Sequence, residues 1–134
     1  MDLKTDNSHI FFTFVKMNKV YFLKTCSTCS KIMAPLDLEK IEQIEIKSKG
    51  ISEDQLQEMK NLSGSFESLF SRTAIKYRAL GLNEKQLKEE DYKKLILEEY
   101  TFLKRPVFIL ENEIFVGNSK KTVEQAHAKL AKQA

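Results

Sequence analysis

The most readable chemistry in this 134-residue chain belongs to its two cysteines, which lie three positions apart as Cys26-Ser27-Thr28-Cys29. A bridge between such close neighbours closes almost no loop and does little to staple a fold. A Cys-x-x-Cys pair is instead a redox couple or one half of a metal site. Position favours the redox reading. The apolar run Val20-Tyr21-Phe22-Leu23 precedes the pair, Lys24-Thr25 breaks it, and a helix can start at Ser27. Cys26 then falls where a strand ends and a helix begins. Unpaired backbone N–H groups and the helix dipole favour thiolate there. Lys24, Lys31 and, if the second half of the chain folds back, Arg105 add positive charge. Cys29, one helical turn on, is placed to attack a mixed intermediate on Cys26 and release it as a disulfide.

Two other readings of the pair stay open. A zinc site needs two further ligands. The chain offers only His9, near its start, and His127, on or beside the apolar face of the last helical segment, where a packed histidine is the commoner occupant. No metal is therefore expected. Inert, buried thiols are the other alternative.

Arg105-Pro106 is the second constellation. A cis bond there would expose backbone to a substrate and aim the Arg105 fork at a thiolate or bound oxyanion. A trans proline opening a strand, with a solvated arginine before it, fits the residues equally well.

The elements that must position these residues are legible from pattern. Lys19 to Leu23 suits a central strand covered on both faces. A helix is expected from Ser27 to Leu38, shortened or kinked by Pro35. Gln43 to Lys47 alternates as a half-buried strand, with Ile44 and Ile46 on one side. Ser52-Glu53-Asp54-Gln55 reads as a capping box, followed by Leu56, Met59 and Leu62 at helical spacing. After a break at Ser63-Gly64-Ser65, the residues Phe66, Leu69, Phe70, Ile75, Tyr77 and Leu80 suggest short helical pieces ending near Gly81. Glu90 to Tyr100 predicts an amphipathic helix with Tyr92, Leu95 and Ile96 inward. Pro106 to Leu110, a turn at Glu111-Asn112, and Glu113 to Val116 form a hairpin. Ser119 caps a last helix with Val123, Ala126 and Leu130 on one face.

A β-α-β unit followed by a β-β-α unit predicts an α/β, thioredoxin-like (glutaredoxin-like) fold, with a mixed four-stranded sheet flanked by helices and a helical insertion between the halves. Such folds place a cis-proline beside the cysteines, where Pro106 stands. The domain is expected over residues 17–134. Residues 1–16 read as an N-terminal extension, since their short apolar run Ile10 to Val15 follows Asp2 and Asp6 and has no small-residue cleavage site. Composition is that of a globular protein, 42% hydrophobic and 31% charged. A net charge of +3, with lysines scattered along helices and no basic recognition helix, gives no reason to expect direct nucleic acid binding. No run approaches a membrane span. A cytoplasmic protein is expected.

The motifs together resemble the arsenate reductase/Spx family of glutaredoxin-like proteins. They are the cysteine pair after Val20–Leu23, Ser71-Arg72 before Tyr77-Arg78-Ala79-Leu80-Gly81-Leu82, Leu103-Lys104-Arg105-Pro106-Val107, and Phe115-Val116-Gly117. The resemblance runs from about Asn18 to Leu130. It implies Cys26 as nucleophile, Arg105 before a cis Pro106, and Arg72 as a second anion-holding arginine. Lys24 and Thr25, directly before Cys26, are expected beside the substrate with Pro106. In such arsenate reductases the cysteine attacks arsenate, arginines hold the oxyanion, and glutathione with glutaredoxin resolves the adduct. The sequence departs from them in three places. Val116-Gly117-Asn118-Ser119 lacks their further arginine, Phe22 stands where they often have a histidine, and Cys29 supplies an internal resolving thiol. Losing one of three charged forks would cost about 1.5–3 kcal/mol of oxyanion binding. The expected function is a thiol–disulfide oxidoreductase acting on an oxyanion such as arsenate or on a thiol/disulfide substrate. It would hold no bound cofactor and draw electrons from glutathione/glutaredoxin or thioredoxin. The Cys-x-x-Cys arrangement is shared with Spx, which implies the alternative of a redox-sensing transcription regulator that binds RNA polymerase.

Overall fold

The computed structural model describes residues 18–133; the extension expected over 1–16 lies outside the described residues. Strand β1 (Lys19–Phe22) is the hub of a four-stranded sheet ordered β2-β1-β3-β4. It pairs in parallel with β2 (Glu42–Glu45) and antiparallel with β3 (Val107–Leu110), and β4 (Glu113–Val116) pairs antiparallel with β3. The parallel pair requires a crossover. That crossover carries α1 (Ser27–Met33), which begins at the cysteine pair. The sheet is mixed, flanked by helices, and has the thioredoxin-like order expected from the sequence.

Both faces of the sheet are covered, which explains the continuous apolar runs of β1 and β3. On one face Tyr21, Ile44, Val107 and Ile109 pack with Leu56 and Met59 of α3 (Glu53–Ser63) and with Tyr92 and Ile96 of α5 (Glu89–Glu98). On the other, Val20, Phe108 and Leu110 pack with Ile32 and Met33 of α1 and Ala126 of α6 (Lys120–Lys132). The two-residue period of β3 divides its four buried side chains between these layers.

Two element boundaries differ from expectation, and a third follows it: helix α1 stops at Met33, shortened ahead of Pro35 as expected, and a 3-10 turn at Leu38–Lys40 follows, capped by the Asp37 carboxylate. Pro35 has no N–H to continue the ladder. Strand β2 ends at Glu45 instead of Lys47, because Ile46–Lys49 forms a single helical turn, α2. The Glu45 carboxylate accepts from Ser48 N–H at 2.7 Å and Lys24 N–H at 2.8 Å, which turns the chain out of the sheet. Ile44 and Ile46 are nevertheless both buried. The helix expected over Glu90 to Tyr100 closes earlier, at Glu98, with a 3-10 turn at Tyr100–Phe102. The capping box at Ser52 and Gln55 forms as expected, and Gly64 ends α3 at φ +102°, a conformation that favours glycine.

The helical insertion is tied to the second half of the sheet. Phe70 bridges Leu103, Ser71 N–H donates to the Phe102 carbonyl at 2.7 Å, and Lys104 N–H donates to the Leu69 carbonyl at 2.9 Å. Phe70 stacks on Phe102 at 5.0 Å between ring centroids and meets Tyr92 at 5.0 Å. This clasp carries Ser71-Arg72 to the segment that leads into Arg105. The short helix α4 (Ile75–Ala79) follows, with Ile75 89% and Leu80 55% exposed.

Candidate active site

The Leu23–Cys26 turn, closed by Cys26 N–H donating to the Leu23 carbonyl at 3.0 Å, delivers Cys26 to the N-cap of α1. As the N-cap residue, Cys26 has its sulfur at the positive end of the helix, by the first-turn N–H groups of Thr28 and Cys29. Cys26 is partly exposed, whereas Cys29, one turn along, is fully buried; both are free thiols.

The two sulfurs have opposite acidities. Partial burial acts to raise the Cys26 pKa. Hydrogen bonds from the Cys29 N–H, the Cys29 thiol and the Thr28 N–H, together with the Arg105 charge, outweigh it and hold Cys26 below its ordinary value. Burial dominates at Cys29 and, with the neighbouring Cys26 sulfur, pushes it up to about 11. One thiol is set to ionise and the other to keep its proton.

Arg105 stands over this pair. Its Nη1 donates to the Leu103 carbonyl at 3.0 Å and the Thr101 carbonyl at 3.2 Å, while its buried Nε has no protein partner. The guanidinium is thus anchored at one end with donor capacity left over. The Arg105–Pro106 bond is cis, which decides between the two sequence readings of that proline. The Pro106 carbonyl accepts from Gly117 N–H at 2.9 Å, drawing the end of the hairpin against the site.

A cleft of about 550 Å³ opens over Cys26, with Ser71, Arg72, Lys104, Arg105 and the Gly117–Ser119 loop around it. Cys26, Arg72 and Arg105 are therefore brought together. Pro106 is buried beneath, and Cys29 lies behind Cys26 in the core. Arg72 is already engaged. Its Nη2 donates to a Glu67 carboxylate oxygen at 2.7 Å and to the Tyr92 hydroxyl at 2.9 Å. Lys24 and Thr25 are exposed, and neither lines the cleft. Lys24 instead borders a separate groove with Phe22, Ser30 and Met33. Of the cations expected near the thiol, Arg105 acts on Cys26. Lys31 is exposed in the last turn of α1.

Ser71, Lys104, Asn118, Ser119 and Thr122 also line the cleft, and sequence reasoning did not single them out as site residues. Lys104 beside Arg105 and the cap at Ser119 were the available signals, since a capped helix following the hairpin brings its first turn to the same end of the sheet. Ser119 Oγ accepts from Thr122 N–H at 3.2 Å. The doubtful ligand His127 bonds the Ile32 carbonyl through Nε2 at 3.0 Å and belongs to the packing of α6 on α1. Among the described residues, no three His, Cys, Asp or Glu side chains approach closely enough to share a metal ion. Among the same residues, no helix is long and apolar enough to cross a membrane.

The ArsC family profile matches residues 21–126, which include the cysteine pair, the clasped insertion, Arg105-Pro106 and the hairpin. The chain belongs to the ArsC family. Among curated relatives it is similar to the global transcriptional regulator Spx 2 of Bacillus anthracis, 26% identical over 110 residues, covering 79% of this chain and 83% of the regulator. Among solved structures it resembles the YFFB protein, 25% identical, with a TM-score of 0.71 over 84% of this chain and 98% of that one. It also resembles a possible arsenate reductase from Streptococcus mutans UA159, 25% identical, with a TM-score of 0.65 over 84% and 98% of the two chains. The ArsC-family fold is that of thiol-dependent reductases, and its relatives include a regulator as well as reductase-like proteins.

Proposed function

We propose that this ArsC-family chain is a thiol–disulfide oxidoreductase in which Cys26 is the nucleophile and Cys29 the resolving thiol. The reading rests on one observation. Within a three-residue spacing, a pKa-lowered thiol faces a cationic cleft while its partner is buried and held protonated.

Against a disulfide substrate, the Cys26 thiolate attacks one sulfur, the substrate S–S bond breaks, and the first thiolate leaves. The Cys26 charge is then gone. With it goes the part of the Cys29 shift that the Cys26 sulfur causes, so Cys29 loses its proton more readily at the step that needs it. Cys29 attacks Cys26 sulfur, the second substrate thiolate leaves, and two electrons have passed to the substrate. Glutathione with glutaredoxin, or thioredoxin, would restore the dithiol. With arsenate, the Cys26 thiolate displaces water at arsenic(V). Attack by Cys29 on Cys26 sulfur then expels arsenite and leaves the same disulfide. Arg105, which lines the cleft, would hold the oxyanion with its guanidinium. Arg72 would contribute by exchanging its exposed ion pair with Glu67 for the substrate anion.

The Spx relative favours a second reading, in which the same disulfide is a switch and the partner is RNA polymerase. The test is NADPH oxidation with arsenate or a small disulfide as substrate, the glutathione–glutaredoxin and thioredoxin systems being supplied separately. Turnover abolished by Cys26→Ser supports the enzyme and identifies its electron donor. Absence of turnover, with a reversible Cys26–Cys29 disulfide and oxidation-dependent capture of RNA polymerase, supports the regulator. In either setting the couple would cycle in a reducing, cytoplasmic compartment.

A further inference from the structure

The Arg72 guanidinium forms a partition between two openings. On one side is the cleft over Cys26. On the other is a second cleft of about 530 Å³, lined by Arg72, Tyr77, Lys85, Gln86, Lys88 and Tyr92. Each is the size of a small-molecule pocket, and together they exceed what a tetrahedral oxyanion fills. No carboxylate lines the second cleft.

Of the acidic residues near it, three are engaged, while Glu84 and Glu90 are exposed and line neither cleft. Glu89 accepts from the Phe66 and Glu67 N–H groups at 2.7 and 3.0 Å, and Asp91 accepts from Lys88 N–H at 2.8 Å. Glu67 is held by Arg72. Lys85 and Lys88 are exposed, and among the described residues neither forms an ion pair. Two ammonium groups, one guanidinium and two tyrosines thus border a concavity that continues the active cleft. Ile75 and Leu80 lie exposed on and just after α4, the helix that supplies Tyr77.

We propose that this second cleft is a recognition subsite for acidic side chains of a cysteine-bearing polypeptide whose disulfide sulfur is presented to Cys26. The inference rests on the oxidoreductase reading and names its substrate class. An extended peptide spans adjoining clefts, its carboxylates pair with Lys85 and Lys88, and its apolar side chains meet Ile75. A carboxylate reaching Arg72 exchanges with Glu67, an exposed pair whose replacement costs little.

The test uses the reduced full-length protein and two synthetic peptides, each a mixed disulfide between its single cysteine and a chromogenic arylthiol. One peptide carries two glutamates after the cysteine and the other two glutamines. Chromophore release gives kcat/KM for each, and the ratio is the readout. The acidic peptide is expected to react about 3- to 10-fold faster at low ionic strength, the advantage shrinking as salt rises. In the double variant Lys85→Gln/Lys88→Gln the ratio is expected to fall to about one. Equal rates in the unmodified protein overturn the subsite and leave the oxidoreductase reading intact. So does a preference that survives in the double variant. Failure of both peptides to react overturns both.

Discussion

The acidity difference between the cysteines has a measurable kinetic signature. The experiment compares Cys29→Ser, which isolates Cys26, with Cys26→Ser, which isolates Cys29, in alkylation by iodoacetamide. Cys29 is pushed up to about 11, and Cys26 lies below its ordinary 9.0. At pH 7 the thiolate fraction falls tenfold for each unit of pKa, so Cys26 holds an advantage of more than about 100-fold. A more basic thiolate is intrinsically more nucleophilic, with a Brønsted slope near 0.45, which returns roughly 8-fold of that. The remainder is an advantage of more than about 10-fold before access is counted. Access acts in the same direction, because Cys29 is fully buried and Cys26 is partly exposed. Removing Cys26 leaves burial, the largest cause of the Cys29 shift, in place. Pseudo-first-order rates from pH 5 to 11, with the labelled site located by peptide mapping, give both ratio and midpoints. Equal labelling of the two cysteines at pH 7, or a Cys26 midpoint at or above 9, refutes the assignment of nucleophile and resolving thiol.

Stability should respond to the same thiols. The Cys29 pKa is higher in the folded protein than unfolded, so its contribution is complete below about pH 9 and lost as pH rises through about 11. The melting temperature should therefore fall across that window, and fall less in Cys29→Ala. Tyr21 is fully buried and its hydroxyl has no hydrogen-bond partner. Tyr21→Phe should be neutral or stabilising by up to about 1 kcal/mol in urea unfolding; a loss of more than that would mean the hydroxyl is satisfied. Phe70 is fully buried, packs on Tyr77, Tyr92 and Phe102, and floors the active cleft. Phe70→Ala should cost about 3–5 kcal/mol and lower turnover by loosening the insertion that carries Arg72, as unfolding and steady-state kinetics would report. Ser52→Ala removes the α3 cap and should cost about 1 kcal/mol without altering Cys26 alkylation.

Sequence by itself determined what depends on short-range chemistry. The cysteine spacing at a strand-to-helix junction, the capping box at Ser52, the hairpin and the two-faced apolar runs each involve residues a few positions apart, whose preferences the chain cannot easily override. They were sufficient for the element order and the sheet class, and they made Cys26 the expected nucleophile. Tertiary structure decided the rest, because those outcomes are set by partners distant in the chain. Arg105 is anchored by two carbonyls, and its cis bond to Pro106 settled a reading that the residues left open. Arg72 reaches the cleft only because Ser71 and Lys104 clasp the insertion to the second half of the sheet, and once there it is claimed by Glu67 and Tyr92. Lys24 sits next to the motif in sequence yet borders another groove, since the chain turns at Leu23 and Glu45 takes its N–H. The cationic cleft of Lys85 and Lys88 was invisible in a scattered lysine pattern. It exists because Arg72, Lys85 and Lys88 converge on a concavity that no carboxylate lines, while Glu89 and Asp91 accept from backbone N–H groups, a placement made by packing rather than by composition.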